Sequence, residues 1–309
     1  MSNVAIIDLG TNTFNLLIVK IDPEKSYKTL FQSKISVKLG EGGINNAVII
    51  ESAFKRGINA LKEHLISITK YEAHTVIAYA TSAIREACNG VAFITKAKLE
   101  TGIDVKIISG DKEAELIYYG VRQAVKMSRE QSLIIDIGGG STEFSIGNKD
   151  GILWKQSFLL GAARLLEMFT PSDPITIKEI KTITNFLEQE LEPLFIALKE
   201  YPVIELIGSS GSFDSLAEMI ANKFYTPQIL ENITEYTYNL PDCAAIYGIL
   251  IKSTKKERTE MKGLVSMRVD MMVVSSILVH FILIRCDIHK MRLSTFSLKE
   301  GMLFELMNK

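Results

Sequence analysis

Two segments of this chain end an apolar run with an acid, a glycine and a set of hydroxyls. The first is Ala5-Ile6-Ile7-Asp8-Leu9-Gly10, continuing into Thr11-Asn12-Thr13. The second is Leu133-Ile134-Ile135-Asp136-Ile137-Gly138, continuing into Gly139-Gly140-Ser141-Thr142. They match at a constant offset of 128 residues. An Asp at the end of a strand projects beside a bound ligand, and the glycine lets the backbone turn so that several N–H groups converge on phosphate oxygens. Hydroxyls of Thr11, Thr13, Ser141 and Thr142 can donate to the same oxygens. One Asp-x-Gly reads at least as readily as a hairpin turn. Two registered copies, one with three consecutive glycines, favour a phosphate cradle built twice.

Other residues fit the same chemistry less specifically. Gly208-Ser209-Ser210-Gly211-Ser212 follows a short apolar run and opens a helical pattern. Such a turn aims free N–H groups and the positive end of the helix dipole at an anion, although an ordinary N-cap explains it equally well. Arg85 lies in the first turn after Thr81-Ser82. It is either a solvated cation paired with Glu86 or Glu51, or a planar fork holding phosphate. Glu113 opens the helical pattern after Ser109-Gly110. Acids are common there because the dipole favours them, but a carboxylate in that place could also deprotonate a water attacking phosphorus. Glu143, with Asp8 and Asp136, gives three hard oxygen donors of the kind Mg²⁺ uses beside phosphates, with Mn²⁺ as a substitute. The four histidines, His64, His74, His280 and His289, form no ligand spacing.

These residues need a scaffold, and the composition supplies one. Apolar residues make up 47% and charged residues 23%, enough for a substantial core in a chain about two domains long. The formal net charge of −1 gives no global field for an anion, so the grip must be local. Cys88, Cys243 and Cys286 are too few for a disulfide framework. The most apolar stretch, Met271–Ile284, suits a buried helix better than a membrane span. A cytoplasmic protein is expected, with no nucleic-acid or membrane partner.

The pattern predicts strands at Val4–Asp8, Phe14–Ile21 and Tyr27–Leu39, a helix over Ile49–Lys70 and a strand at Thr75–Ala80. One helix from about Ser82, a strand at Asp104–Ser109 and a helix from Asp111 follow. At Leu133 the pattern restarts. Strands are predicted at Leu133–Asp136, Thr142–Ile146, Ile152–Phe158, Val203–Ile207 and Met291–Ser294, among long helices. The restart implies two like α/β lobes, residues 1–125 and 126–309, with the last helix (Leu298–Met307) free to pack back at the hinge.

The combination resembles the exopolyphosphatase and guanosine pentaphosphate phosphohydrolase (Ppx/GppA) family of the actin-like ATPase and sugar-kinase superfamily. The likeness runs through Asp8–Phe14, Ala80–Arg85, Ser109–Leu116, Ile135–Glu143, Gly161-Ala162-Ala163-Arg164-Leu165, Gly208–Gly211 and Arg268-x-Asp270, in family order. It implies an α/β fold of two ribonuclease-H-like lobes, mixed sheets flanked by helices, around a cleft. It also implies that Glu113 activates the attacking water and Arg85 contacts phosphate. Asp8, Asp136 and Glu143 would serve Mg²⁺. Gly10, Thr11, Asn12 and Thr13 would form the first phosphate loop, and Gly138, Gly139, Gly140, Ser141 and Thr142 the second. Gly208, Ser209 and Gly211 would belong to the third. Two features depart from the family pattern: Leu298-Lys299-Glu300-Gly301 stands for Leu-Arg-x-Gly, and Ser275-Ser276 replaces small apolar residues. The chain also stops at Lys309 with no His-Asp dipeptide, so the HD-type domain of long members is not expected and short polyphosphate is the favoured substrate. Relatives imply a homodimer. Guanosine pentaphosphate is the alternative substrate, and an acceptor-dependent kinase or an actin-like switch protein are alternatives of other classes.

Overall fold

The computed structural model describes residues 2–308. They divide into two compact units, one formed by the first 120 residues with those from Leu298 onward, the other by Val121–Ser297.

In the first unit, β1 (Ser2–Leu9), β2 (Thr13–Ile21) and β3 (Tyr27–Ser36) form an antiparallel meander. Helix α1 (Glu51–Lys70) leads to β4 (Thr75–Ala80). Then come α2 (Ser82–Arg85), α3 (Gly90–Thr101), β5 (Val105–Ile107) and α4 (Gly110–Ala124). The sheet order is β3-β2-β1-β4-β5, with β1, β4 and β5 parallel. Helix α1 buries Ala53, Gly57, Ile58, Ala60, Leu61, His64 and Ile68, the i, i+3, i+4, i+7 stripe of a one-sided helix.

The single helix expected from Ser82 is instead two. Asn89 interrupts it by exchanging two hydrogen bonds with the Ile49 backbone: Ile49 N–H donates to Oδ1 at 2.9 Å and Nδ2 donates to the Ile49 carbonyl at 2.8 Å. The chain restarts at Gly90, where a Cβ would come within 2.0 Å of the Ile84 carbonyl oxygen, so only glycine fits. The break leaves Arg85 at the end of a one-turn helix.

The second unit repeats the plan. A meander of β6 (Ser132–Ile137), β7 (Thr142–Gly147) and β8 (Ile152–Phe158) is followed by α5 (Ala162–Phe169), α6 (Ile177–Glu190) and α7 (Glu192–Glu200). Strand β9 (Glu205–Ser209) runs into α8 (Ser210–Phe224). After it come β10 (Glu235–Thr237), α9 (Leu240–Leu250), α10 (Lys255–Thr259), α11 (Met271–Arg285) and β11 (Met291–Ser294). The order is β10-β11-β9-β6-β7-β8, so β8-β7-β6-β9-β11 corresponds to β3-β2-β1-β4-β5. Strand β10, not expected from the sequence, adds an antiparallel edge of three residues. Strands β6 and β9 are buried along their whole length, as central strands covered on both faces are. Helix α11 is buried nearly all round, and among the described residues no helix is long and apolar enough to cross a membrane.

The last helix, α12 (Leu298–Met307), groups with the first unit. Gly301 lies on the α4 backbone, where a Cβ would be 1.7 Å from the Leu116 carbonyl oxygen. Phe304 stacks on Tyr119 at 5.3 Å, and Glu305 pairs with Lys112 at 2.6 Å.

Candidate active site

The two Asp-x-Gly turns close in the same way. Gly10 N–H donates to the Thr13 carbonyl at 3.1 Å, and Gly138 N–H donates to the Ser141 carbonyl at 3.0 Å. Asp8 faces Asn15 across β1–β2, and Asp136 faces Glu143 across β6–β7. The repeat thus reaches the residue opposite each aspartate. In the first unit that residue is an amide, whose Nδ2 donates to Asp8 Oδ2 at 2.8 Å. In the second it is a second acid.

The first loop is held by its carbonyls. Val37 and Lys38 N–H both donate to the Asn12 carbonyl at 2.9 Å, and Leu39 N–H donates to that of Thr11 at 2.6 Å. The second loop is held similarly by the start of α5. Ala162 N–H donates to the Gly138 carbonyl at 2.9 Å, Ala163 and Arg164 N–H donate to that of Gly139, and Arg164 Nε donates to that of Gly140 at 2.9 Å. Gly161 makes this approach possible, because a Cβ there would lie 2.4 Å from the Gly139–Gly140 peptide. With the carbonyls engaged, the N–H groups of Gly139, Gly140 and Ser141 donate to no protein acceptor among the described residues. They are the polar groups the loop can offer an anion. Thr142 differs from expectation: its hydroxyl donates to the Leu160 carbonyl at 2.9 Å, so its proton is committed to the scaffold.

In the first unit, the break after α2 and the start of α4 bring Arg85 and Glu113 together. Arg85 Nη1 donates to Glu113 Oε2 at 2.7 Å and to the Ile108 carbonyl at 3.2 Å, while Nε donates to Glu86 Oε1 at 2.9 Å. Glu113 is buried, at 7% exposure. A buried carboxylate survives where a charge partner compensates its lost hydration, and Arg85 provides that here. Of the partners considered from the sequence, Glu86 is met and Glu51 is not, since Glu51 pairs with Lys55. Lys55 holds the Glu51 carboxyl below the usual range.

The third loop turns towards Asp136. Ser209 Oγ and Ser210 Oγ donate to Asp136 Oδ2 at 2.7 and 2.6 Å, and Ser297 Oγ donates to the same oxygen. Ser210 takes φ +66°, a left-handed conformation that costs a non-glycine residue about 1–2 kcal/mol. Gly211 is required by Arg268. A Cβ on it would lie 1.3 Å from Nη2, and Arg268 Nη1 donates to the Gly211 carbonyl and to Ser215 Oγ at 3.0 Å. Burial lowers the pKa of Arg268, against the opposing charges of Asp214 and Glu218. Ser210, Ser297 and Arg268 were not among the predicted site residues. Ser210 and Arg268 at least lie within motif segments, whereas Ser297 has no local signal.

Among the described residues no three His, Cys, Asp or Glu side chains are placed to hold an ion by themselves. Each acid has a neutral partner instead: Asn15 on Asp8, the serines on Asp136, and Ser157 Oγ donating to Glu143 Oε1 at 2.7 Å. Such a donor set does not suit Zn²⁺ or an all-protein Ca²⁺ cage. It does suit Mg²⁺, which keeps waters and takes one or two carboxylates plus substrate phosphates.

Residues 17–309 match the model of the Ppx/GppA phosphatase family. A bifunctional 3-dehydroquinate synthase/phosphatase of Fusobacterium nucleatum is 32% identical over 290 residues, covering 90% of this chain and 43% of that protein. The chain therefore spans less than half the length of that relative. A putative exopolyphosphatase of Haemophilus influenzae is 29% identical, covering 98% of this chain and 91% of that one. The crystal structure of an exopolyphosphatase from Cytophaga hutchinsonii superposes with a TM-score of 0.95 at 40% identity, covering 99% of this chain and 98% of that one.

Proposed function

The chain belongs to the Ppx/GppA phosphatase family, and on that premise we propose that it is an exopolyphosphatase-type hydrolase releasing terminal orthophosphate from short inorganic polyphosphate. The observation that carries this reading is Glu113, a buried carboxylate in the first turn of α4 held at 2.7 Å by Arg85. A fixed carboxylate is what in-line hydrolysis needs to orient a water and take its proton. A kinase would need that place for an acceptor.

Each residue has a part. The N–H groups of Gly139, Gly140 and Ser141, and those of Thr11–Thr13, are donors for phosphate oxygens, and Arg85 adds a fork of donors where charge builds up. Glu113 accepts the proton of the attacking water. Asp8, Asp136 and Glu143 are the residues that would hold Mg²⁺ or Mn²⁺, which when bound supplies charge neutralisation at the phosphate oxygens. The protein would act in the cytoplasm, as a homodimer.

One observation favours guanosine pentaphosphate as the substrate. A cavity of about 390 Å³ opens in the second unit beside Ser212, lined by Leu216, Pro241, Ala244, Tyr247 and His280 among others. Its lining has no lysine or arginine, and Tyr247 stacks on His280 at 4.1 Å. Such walls suit a nucleoside better than a phosphate chain. Phosphate release measured side by side on long polyphosphate, tripolyphosphate and guanosine pentaphosphate with Mg²⁺ tests both readings. Fastest turnover of tripolyphosphate supports the first, and preference for the nucleotide supports the second. Release from none of the three would overturn the hydrolase reading.

A further inference from the structure

Asp136 is buried, at 5% exposure, and its two carboxylate oxygens are treated differently. Oδ2 accepts from three hydroxyls, of Ser209, Ser210 and Ser297, and Ser210 and Ser297 also contact each other at 3.2 Å. Oδ1 accepts from no side chain or backbone group among the described residues. It is also absent from the fully enclosed polar atoms that lack a partner. One oxygen is thus saturated, and the other remains open to solvent.

We propose that Ser297 and Ser210 are positioning residues that lock Asp136 by Oδ2 and so present Oδ1, with its charge intact, to the divalent cation or a water the cation holds. The inference rests on the proposed metal-assisted hydrolysis and extends it to Ser210 of the third loop and to Ser297, which lies outside the loops.

The choice of donor carries the argument. A lysine or arginine on Oδ2 would fix the carboxylate equally well but would cancel the charge that attracts a cation. Serine hydroxyls supply directed hydrogen bonds without a formal charge. Groups of this kind behind a ligand orient it and raise its affinity. Ser210 reaches the oxygen only by adopting a positive φ. Glycine would take that conformation without strain, but it would lose the hydroxyl. A strained side chain retained beside a buried carboxylate is the pattern expected where geometry serves function. Ser297 arrives from the segment after β11, 161 residues along the chain from Asp136.

The test is the full-length Ser297→Ala variant, with Ser297→Thr as the conservative control, read by Mn²⁺ binding calorimetry without substrate and by the Mg²⁺ concentration giving half-maximal phosphate release. Ser297→Ala is expected to weaken Mn²⁺ binding about tenfold, the lower end of the effect of losing such a partner. The half-saturating Mg²⁺ should rise in parallel, thermal unfolding should stay close to wild type, and Ser297→Thr should recover most of the affinity. Unchanged Mn²⁺ affinity in Ser297→Ala overturns the proposal, as does a loss of turnover with no change in the metal titration. If Ser297→Ala is unfolded, Ser210→Gly, which removes a hydroxyl and relieves strain, provides the same readout. Wild-type protein that neither binds Mn²⁺ nor hydrolyses phosphoanhydrides would count against the proposed function itself.

Discussion

Glu113 and Arg85 lie 28 residues apart in sequence and 2.7 Å apart in space. The sequence nominates each singly, as an acid and a base in separate first turns. Their pairing depends on the Asn89 break, which no local pattern announces. Glu113→Gln keeps shape and hydrogen-bonding capacity but cannot take a proton. Its kcat for phosphate release is expected to fall about 100- to 10,000-fold, with substrate affinity nearly unchanged by equilibrium binding. Arg85→Lys keeps the charge but loses the fork that reaches Ile108, Glu86 and Glu113 together. Steady-state kinetics of this variant should show kcat/KM reduced by at least about tenfold, and equality with wild type would remove Arg85 from the site.

At the scale of elements, the start of α5 exists to hold a loop. Its first N–H groups go to the triple-glycine carbonyls rather than to a capping side chain. Gly161→Ala would drive a methyl group into the Gly139–Gly140 peptide. Overpacking of this kind costs about 1–3 kcal/mol, and the loop should lose phosphate binding beyond what that destabilisation explains, measured as KM against unfolding midpoint. The other ends of the central strands are fastened separately. Glu205 is buried at 2% exposure, takes a two-pronged contact from Arg292, and receives Ser132 Oγ at 3.0 Å and Lys290 Nζ at 2.8 Å. Burial alone would raise its pKa, but the hydrogen bonds from Arg292 and Lys290 outweigh it and the net shift is downward. A lowered folded-state pKa means stability that is present above the ordinary glutamate value and lost as pH falls through the folded one. Glu205→Gln should therefore cost about 3 kcal/mol at neutral pH, because it leaves the buried Arg292 undercompensated. In denaturant titrations across pH, the gap to wild type should narrow as acid is added.

Over the whole molecule, what was legible in the sequence is what repeats. The 128-residue offset fixed both meanders and both aspartates, and the structure extends it to Asn15 and Glu143 and to a common strand order. What was not legible comes from distant segments: Ser297 on Asp136, Arg268 on Gly211, and the Gly301 and Phe304 contacts by which α12, expected only as free to pack back at the hinge, joins the first unit. Contacts of this range leave no periodicity, because each is a single meeting of two segments that local propensity does not constrain. The cavity beside Ser212 is another such product, formed by α8, α9 and α11. Filling it with Ala244→Trp should leave turnover of tripolyphosphate unchanged if the substrate is inorganic. A selective rise in KM for guanosine pentaphosphate would show that the cavity holds the nucleoside.

In the proposed reaction a water activated by Glu113 attacks the terminal phosphorus. Reaction in ¹⁸O-labelled water with tripolyphosphate and Mg²⁺, followed by mass analysis of the released phosphate, tests it most directly. Each orthophosphate released should carry one solvent oxygen, with no requirement for an acceptor, and that product should be lost in Glu113→Gln. Phosphate that forms only when an acceptor is added, or labelled phosphate from Glu113→Gln at the wild-type rate, would contradict it.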